Sequence, residues 1–211
     1  MESDDYEVRK ATVECLINSG IPRVDIRHEI TLDTSSSGGR ADLVVLRDGC
    51  LCGLEIKSAK DTLDRCAIQK EAYQKAFDLS VLIVDEKWSP LNSEGFWDRE
   101  RAQRLWHNHL VYTNGKIGDW FDGAFHGISS SRFSRSRQLS AERMLSLLWA
   151  SEIKFTFGAS ARHKGIKAAA ETIAIREIRQ GVITALRKRE LNRWEEAFWK
   201  RFDSEKAEMA A

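Results

Sequence analysis

The sequence predicts an α/β fold followed by a helical C-terminal region, and three observations carry that expectation. Short apolar runs of strand length alternate with helical periodicity over the first 85 residues. The dipeptide Asp48-Gly49 separates two of those runs and marks a hairpin. From Ser140 onward the pattern is helical throughout.

The elements follow in order. Residues 4–19 read as a helix, with Val8, Ala11, Cys15 and Leu16 at helical spacing and Gly20 as the stop. Residues 24–32 form a strand, with Ile26, Glu29 and Ile30 near its middle. Ser35-Ser36-Ser37-Gly38-Gly39 is a loop. Ala41–Arg47 and Cys50–Lys57 are strands, and Asp61 caps a helix that runs to about Phe77. Leu79–Asp85 is continuously apolar, as a central strand covered on both faces requires. The order is helix, three strands, helix, strand.

Further on, Arg99–His107 has helical character, and Leu110–Thr113 and Lys116–Trp120 flank a second hairpin signal, Asn114-Gly115. Residues 127–138 are Ser/Arg-rich and read as a linker. Ile175, Ile178, Val182 and Leu186 mark one amphipathic face; Trp194, Phe198 and Phe202 mark another. The chain thus divides into a core of residues 1–126 and a helical, basic region of residues 138–211.

Composition narrows the class. Hydrophobic residues at 42% and charged residues at 31% fit a soluble globular chain. No apolar run approaches the roughly 18–20 residues of a membrane span. The acidic start, Glu2, Asp4 and Asp5, is the opposite of a secretory leader, so the expected location is the cytoplasm. The four cysteines form no C-x-x-C pair and read as buried small hydrophobes. The net charge of +1 conceals an asymmetry: residues 132–201 hold 16 Lys or Arg against 7 Asp or Glu, a balance of +9 that leaves about −8 elsewhere. An acidic half beside a basic half suits a cation site next to a polyanion-binding surface.

The chemistry is read from strand register. A two-residue type I′ turn at Asp48-Gly49 pairs Arg47 with Cys50. Counting outward, Leu46 meets Leu51, Val44 meets Gly53, and Asp42 meets Glu55 in a non-hydrogen-bonded pair. Facing carboxylates repel, unless a bound cation makes them a ligand set. Lys57, two residues beyond Glu55, shares its face. Two hard carboxylates can hold Mg²⁺ or Mn²⁺, and a neighbouring lysine can stabilise charge developing on a phosphate. On the next helix, Gln69 and Tyr73 lie one turn apart, so the glutamine can bond water or substrate and the tyrosine can pack or touch phosphate.

Gly39-Arg40-Ala41-Asp42, then Glu55-Ile56-Lys57, then Gln69-x-x-x-Tyr73 resemble the PD-(D/E)XK nuclease superfamily, RecB-like branch. Gly53–Ser58 followed by Asp61–Arg65 is similar to a small, mostly uncharacterised bacterial group within it. The resemblance spans roughly residues 5–87. It implies a restriction-endonuclease-like αβββαβ core with a mixed sheet, and hydrolysis of phosphodiester bonds in nucleic acid, with DNA the expected substrate. Asp42 and Glu55 would bind Mg²⁺ (or Mn²⁺), helped by the Ile56 backbone carbonyl. Lys57 and Gln69 would assist catalysis, with Arg40, Ser58 and Tyr73 on the substrate side. A first-helix glutamate often joins such sites, and Glu7 matches that position; Glu29 is the alternative. Ala41 replaces the proline of the motif's name. No cysteine follows Cys66, so no iron–sulfur cluster is expected.

Other signals are weaker. His107-Asn108-His109 lacks a partner set for metal. No G-x-x-x-x-G-K-[ST] run is present, so no ATPase motor is expected within the chain. Trp88 and Trp97 are candidate base-stacking platforms. A nucleic-acid-binding protein with little or no cleavage is the second reading. Assembly through the helical region, as a homodimer or with another protein, is the third.

Overall fold

The computed structural model describes residues 2–32, 39–89, 106, 108–118, 135–160 and 163–210. Over these residues the order is α1 (Asp5–Asn18), β1 (Ile26–Thr31), β2 (Arg40–Arg47), β3 (Cys50–Lys57), α2 (Cys66–Ala76), β4 (Leu79–Asp85), β5 (His109–Thr113) and β6 (Lys116–Gly118). Then come α3 (Ala141–Leu145), α4 (Ala150–Phe157), α5 (His163–Thr172), α6 (Ile175–Lys188) and α7 (Arg193–Ala210). The strands form one mixed sheet in the order β1-β2-β3-β4-β5-β6. The outer pairs are antiparallel, while β3–β4 and β4–β5 are parallel.

Local chemistry sets the element ends. Asp4 accepts from the Glu7 N–H at 3.0 Å while the Glu7 carboxylate accepts from the Asp4 N–H at 2.9 Å. That reciprocal capping box starts α1. Asn114 and Gly115 both have positive φ, 50° and 79°, as a type I′ turn requires. The first hairpin differs from the sequence expectation. Gly49 has φ 73°, but Asp48 is not in the positive-φ region, so the φ pattern is that of type II rather than type I′. Both loops have two residues, so the register is unchanged: Arg47↔Cys50 through Leu43↔Leu54 pair as anticipated.

α2 begins at Cys66, later than an Asp61 cap would place it, and Arg65 provides no side-chain cap. Asp61 turns back instead, accepting from the Ser58 N–H at 2.8 Å and the Ser58 hydroxyl at 2.7 Å. Its carboxylate thereby closes the loop that leaves β3. α2 then lies very close to the sheet: a Cβ on Gly53 would collide with the Phe77 ring. Glycine is required there because the ring occupies the space a side chain would need.

Alternation along the strands divides the core into two layers. Leu43, Val45, Leu54, Val81 and Ile83 pack beneath α1 and α7, against Val8, Leu16, Phe198, Trp199 and Phe202. Val44, Leu46, Leu51, Leu82 and Val84 pack beneath α2 and α3–α6, against Tyr73, Phe77, Leu145, Ile178, Val182 and Leu186. The residues beyond 138 therefore cover both faces of the sheet formed by the N-terminal part. Of the Ile175–Leu186 stripe, the candidate assembly surface of the third reading, Ile178, Val182 and Leu186 are buried in that core, while Ile175 is exposed.

Ion pairs bind these layers together. Arg27 on β1 donates to Glu195 through Nε (2.8 Å) and Nη2 (3.0 Å), and to the carbonyls of Leu186, Arg189 and Glu190. Its guanidinium thus caps the carbonyl end of α6, where a cation also favours the helix dipole. Arg179 pairs with Asp78, Arg187 with Asp25 and Asp48, and Arg189 with Glu152. Part of the basic excess of the C-terminal region is consumed by acids of the fold. Among the described residues no helix is long and apolar enough to cross a membrane.

Candidate active site

Both ladders of β2 open at Asp42. The β1–β2 pairing runs through Arg27↔Val44 and His28↔Leu43, skips one position, and resumes at Ile30↔Ala41. The skipped pair is Glu29 with Asp42. Glu29 has φ 55°, a conformation that β-carbon crowding makes rare outside glycine, and such outliers concentrate at functional sites. On the other side, the β2–β3 ladder stops at Leu43↔Leu54, one step short of Asp42 and Glu55. Three carboxylates from adjacent strands, Glu29, Asp42 and Glu55, therefore occupy consecutive positions where the sheet splits.

The backbone groups freed by the split are taken by side chains. The Asp42 N–H donates to the Tyr73 hydroxyl at 3.2 Å. The Asp42 carbonyl accepts from Arg9 Nη1 at 2.6 Å. The Ile56 N–H donates to Asp42 Oδ2 at 2.7 Å, so the side chain replaces a ladder partner. Tyr73 in turn donates to Glu55 Oε2 at 2.7 Å. Glu55 Oε1 accepts from Lys57 Nζ at 2.6 Å and from Gln69 Nε2. The close approach of α2 at Gly53 is what brings Gln69 and Tyr73 within reach of Glu55.

The electrostatics show an excess of negative charge. Burial raises the Asp42 carboxyl well above its ordinary range, and Glu55 and Asp5 push it further; Arg9 and the Ile56 N–H oppose this without overcoming it. Burial pulls the Lys57 ammonium down, but the charge and hydrogen bond of Glu55, with Asp42 behind, leave it raised. Burial, then Glu55 and Asp42, hold the Tyr73 hydroxyl well above its usual value, so it stays a proton donor. Glu55 is 2% exposed, whereas the Asp42 side chain keeps 20%, so access to the row is from the Asp42 side.

The expected site residues divide. Asp42, Glu55, Lys57, Gln69, Tyr73 and the Ile56 backbone come together. Arg40 stands at the open rim, paired with Glu29 at 3.2 Å. Ser58 is buried and held by Asp61, an anchor of the loop. Glu7 is committed to the α1 capping box and lies about 200° around the helix from Asp5 and Arg9. It does not share the row, because a helix that aims positions 5 and 9 at Asp42 aims position 7 away. Glu29, the alternative, does lie in the row. Trp88 donates from Nε1 to the Ser58 carbonyl at 2.8 Å and packs on the core, so its indole is structural. Trp97 and His107 lie outside the described residues.

Sequence reasoning missed Arg9 and Asp5. Arg9 is 7% exposed and links Asp5, Glu29 and Asp42. The Asp5–Arg9 pair has i,i+4 spacing and was visible in the sequence. Its reach to Asp42, 33 positions away, was not.

Among the described residues no three His, Cys, Asp or Glu side chains gather as a ready-made cation cage; Arg9 pairs with Glu29 and Asp42, and Lys57 with Glu55. The donors suit a hard cation nonetheless. They are all oxygen, and burial together with the neighbouring Glu55 charge keeps the Asp42 carboxyl raised despite Arg9.

Residues 2–90 match the family described as Bacteriophage P4 protein cII. That stretch includes α1 through β4 and every residue of the row. No curated protein and no solved structure gives a significant match to the chain.

Proposed function

We propose that this protein is a metal-dependent nuclease on a restriction-endonuclease-like αβββαβ core, of the PD-(D/E)XK type, acting on DNA. The observation that carries the reading is the opening of both ladders at Asp42, beside Glu55, Lys57 and Gln69. A sheet maintained for packing alone has no reason to interrupt itself around three carboxylates. That arrangement costs stability unless it does something else.

In this reading Asp42, Glu55 and the Ile56 carbonyl hold Mg²⁺ or Mn²⁺, which when bound polarises a phosphodiester and acidifies water. Glu29 and Asp5 hold Arg9 in place. Lys57 keeps its proton and stabilises negative charge developing on the phosphate. Tyr73 orients the Glu55 carboxylate by donating to Oε2. The amide of Gln69 has a buried Oε1 with no hydrogen-bond partner among the described residues, an acceptor placed to orient a water. Arg40, exposed at the rim, is available to a phosphate. The reading places the protein in the cytoplasm, where nucleic acid is the substrate.

One observation favours a binding protein without cleavage: Lys57, Gln69 and Tyr73 already satisfy Glu55. Linear and circular DNA, single- and double-stranded, incubated with Mg²⁺, Mn²⁺ or EDTA, decides between them. Cation-dependent cleavage that is lost in Asp42→Ala supports the nuclease. Salt-dependent DNA binding with no cleavage by wild type would replace it with the second reading.

A further inference from the structure

The site described above leaves buried polar groups unexplained, among them the ring of His28. The residue is 1% exposed, and neither ring nitrogen has a hydrogen-bond partner among the described residues. Buried polar atoms are nearly always bonded, so an exception asks for a reason. His28 alternates on β1 toward α7, where its ring meets Phe198 at 4.5 Å between centroids. It lines a cavity of about 280 Å³ whose aromatic walls are Tyr6, Phe198 and Trp194. Arg9 and Glu29 form the side that this cavity shares with the acidic row. Trp194 belongs by spacing to the buried face of α7, yet its indole is 65% exposed, because the first turn of the helix sits at this rim.

We infer that this cavity receives one unpaired nucleobase from a single-stranded nucleic acid whose backbone passes the row on its open, Asp42 side. The inference rests on the nuclease reading and names the form of its substrate. Three features select a base. The volume lies at the lower edge of small-ligand sites, which begin near roughly 300 Å³, so a single ring system fits. At the rim the exposed indole of Trp194 offers a flat face on which any base can stack. Arg9 touches both Glu29 and Asp42, so the cavity lies one guanidinium away from the row. A phosphate fits less well, because the carboxylates of Asp5 and Glu29 line the same space and already hold Arg9. The base must be unpaired, since in a duplex its edge is engaged and its faces are stacked.

The test measures binding in EDTA, where no cleavage occurs. Fluorescence anisotropy compares a labelled single-stranded deoxyadenylate oligomer with an abasic oligomer of equal length. The proteins are wild type, Trp194→Ala, which removes a stacking wall, and Ala197→Trp, which fills the cavity from an exposed helix position. The expected result is roughly tenfold weaker binding of the base-bearing oligomer by both variants, the worth of one base–aromatic stack. Their affinity for the abasic oligomer should match that of wild type. Equal affinity of wild type for the two oligomers, or no loss in either variant, overturns the base pocket. Cleavage with Mg²⁺ by wild type and Asp42→Asn is measured in parallel. Base-dependent binding without cleavage supports the pocket and rejects the nuclease. Cleavage with base-independent binding rejects the pocket alone.

Discussion

Replacing Lys57 by methionine tests whether the row is short of positive charge and whether the ammonium acts in the reaction. Methionine keeps most of the side chain's bulk in a site where Lys57 is nearly buried. The change removes the cation 2.6 Å from Glu55 Oε1 and leaves a carboxylate that is itself 2% exposed. Breaking a buried pair by removing one partner typically costs about 3–5 kcal/mol, because the remaining charge is uncompensated. Glu55 keeps the Tyr73 and Gln69 donors, so the lower end, about 3 kcal/mol, is expected. Urea unfolding in EDTA measures this loss. Mg²⁺ should then restore more stability to Lys57→Met than it adds to wild type, since the ion replaces the missing charge. Single-turnover cleavage at saturating Mg²⁺ separates the two roles. A lysine acting on developing charge leaves the plateau down on the order of a hundredfold. A lysine that only neutralises Glu55 leaves the plateau at the wild-type level. A stability loss under about 1 kcal/mol, with Mg²⁺ acting equally on both proteins, would refute the charge-deficit argument itself.

Three more expectations follow from the same geometry. The folded Asp42 carboxyl is raised above its unfolded value near about 3.9, so the fold favours the protonated form; that contribution is present at acid pH and is lost as pH rises through the folded value. Asp42→Asn should therefore raise the Tm in EDTA at neutral pH, with the gain vanishing below about pH 4, and a gain independent of pH would count against the cause named here. Gly53→Ala should push α2 off the sheet at Phe77, costing about 1–3 kcal/mol and reducing cleavage more than DNA binding; an unchanged Tm would show that the close approach is not needed. Arg27→Met removes the cation from the buried Glu195 carboxylate, which keeps the His28 and Asn192 N–H donors, and frees three carbonyls at the α6 end, so chemical denaturation should show a loss of about 3 kcal/mol, and a near-neutral effect would mean that the helices hold to the sheet without this pair.

Features that depend on neighbours along the chain were legible in the residue pattern. Alternating side chains around a two-residue loop specify the register from Arg47↔Cys50 to Leu43↔Leu54, and the register survives the change of turn type because loop length, not turn class, sets it. The same alternation puts Glu55 and Lys57 on one face, and helical spacing puts Gln69 and Tyr73 together. How that constellation is completed depends on packing between segments distant in the chain. Arg9 reaches Asp42 across 33 positions, and Glu29 arrives through a positive φ that no strand pattern announces. Glu7 is lost to a local capping box, which competes for a carboxylate at no entropic distance. Charge counts along residues 132–201 indicated a basic region, but Arg179 and Arg187 turn inward to Asp78 and Asp25 of the N-terminal part, and Arg189 pairs with Glu152 of α4. Periodicity reports which side of an element a residue occupies; it does not report which distant charge meets it there, because opposite charges can pair wherever the packed layers bring them within reach.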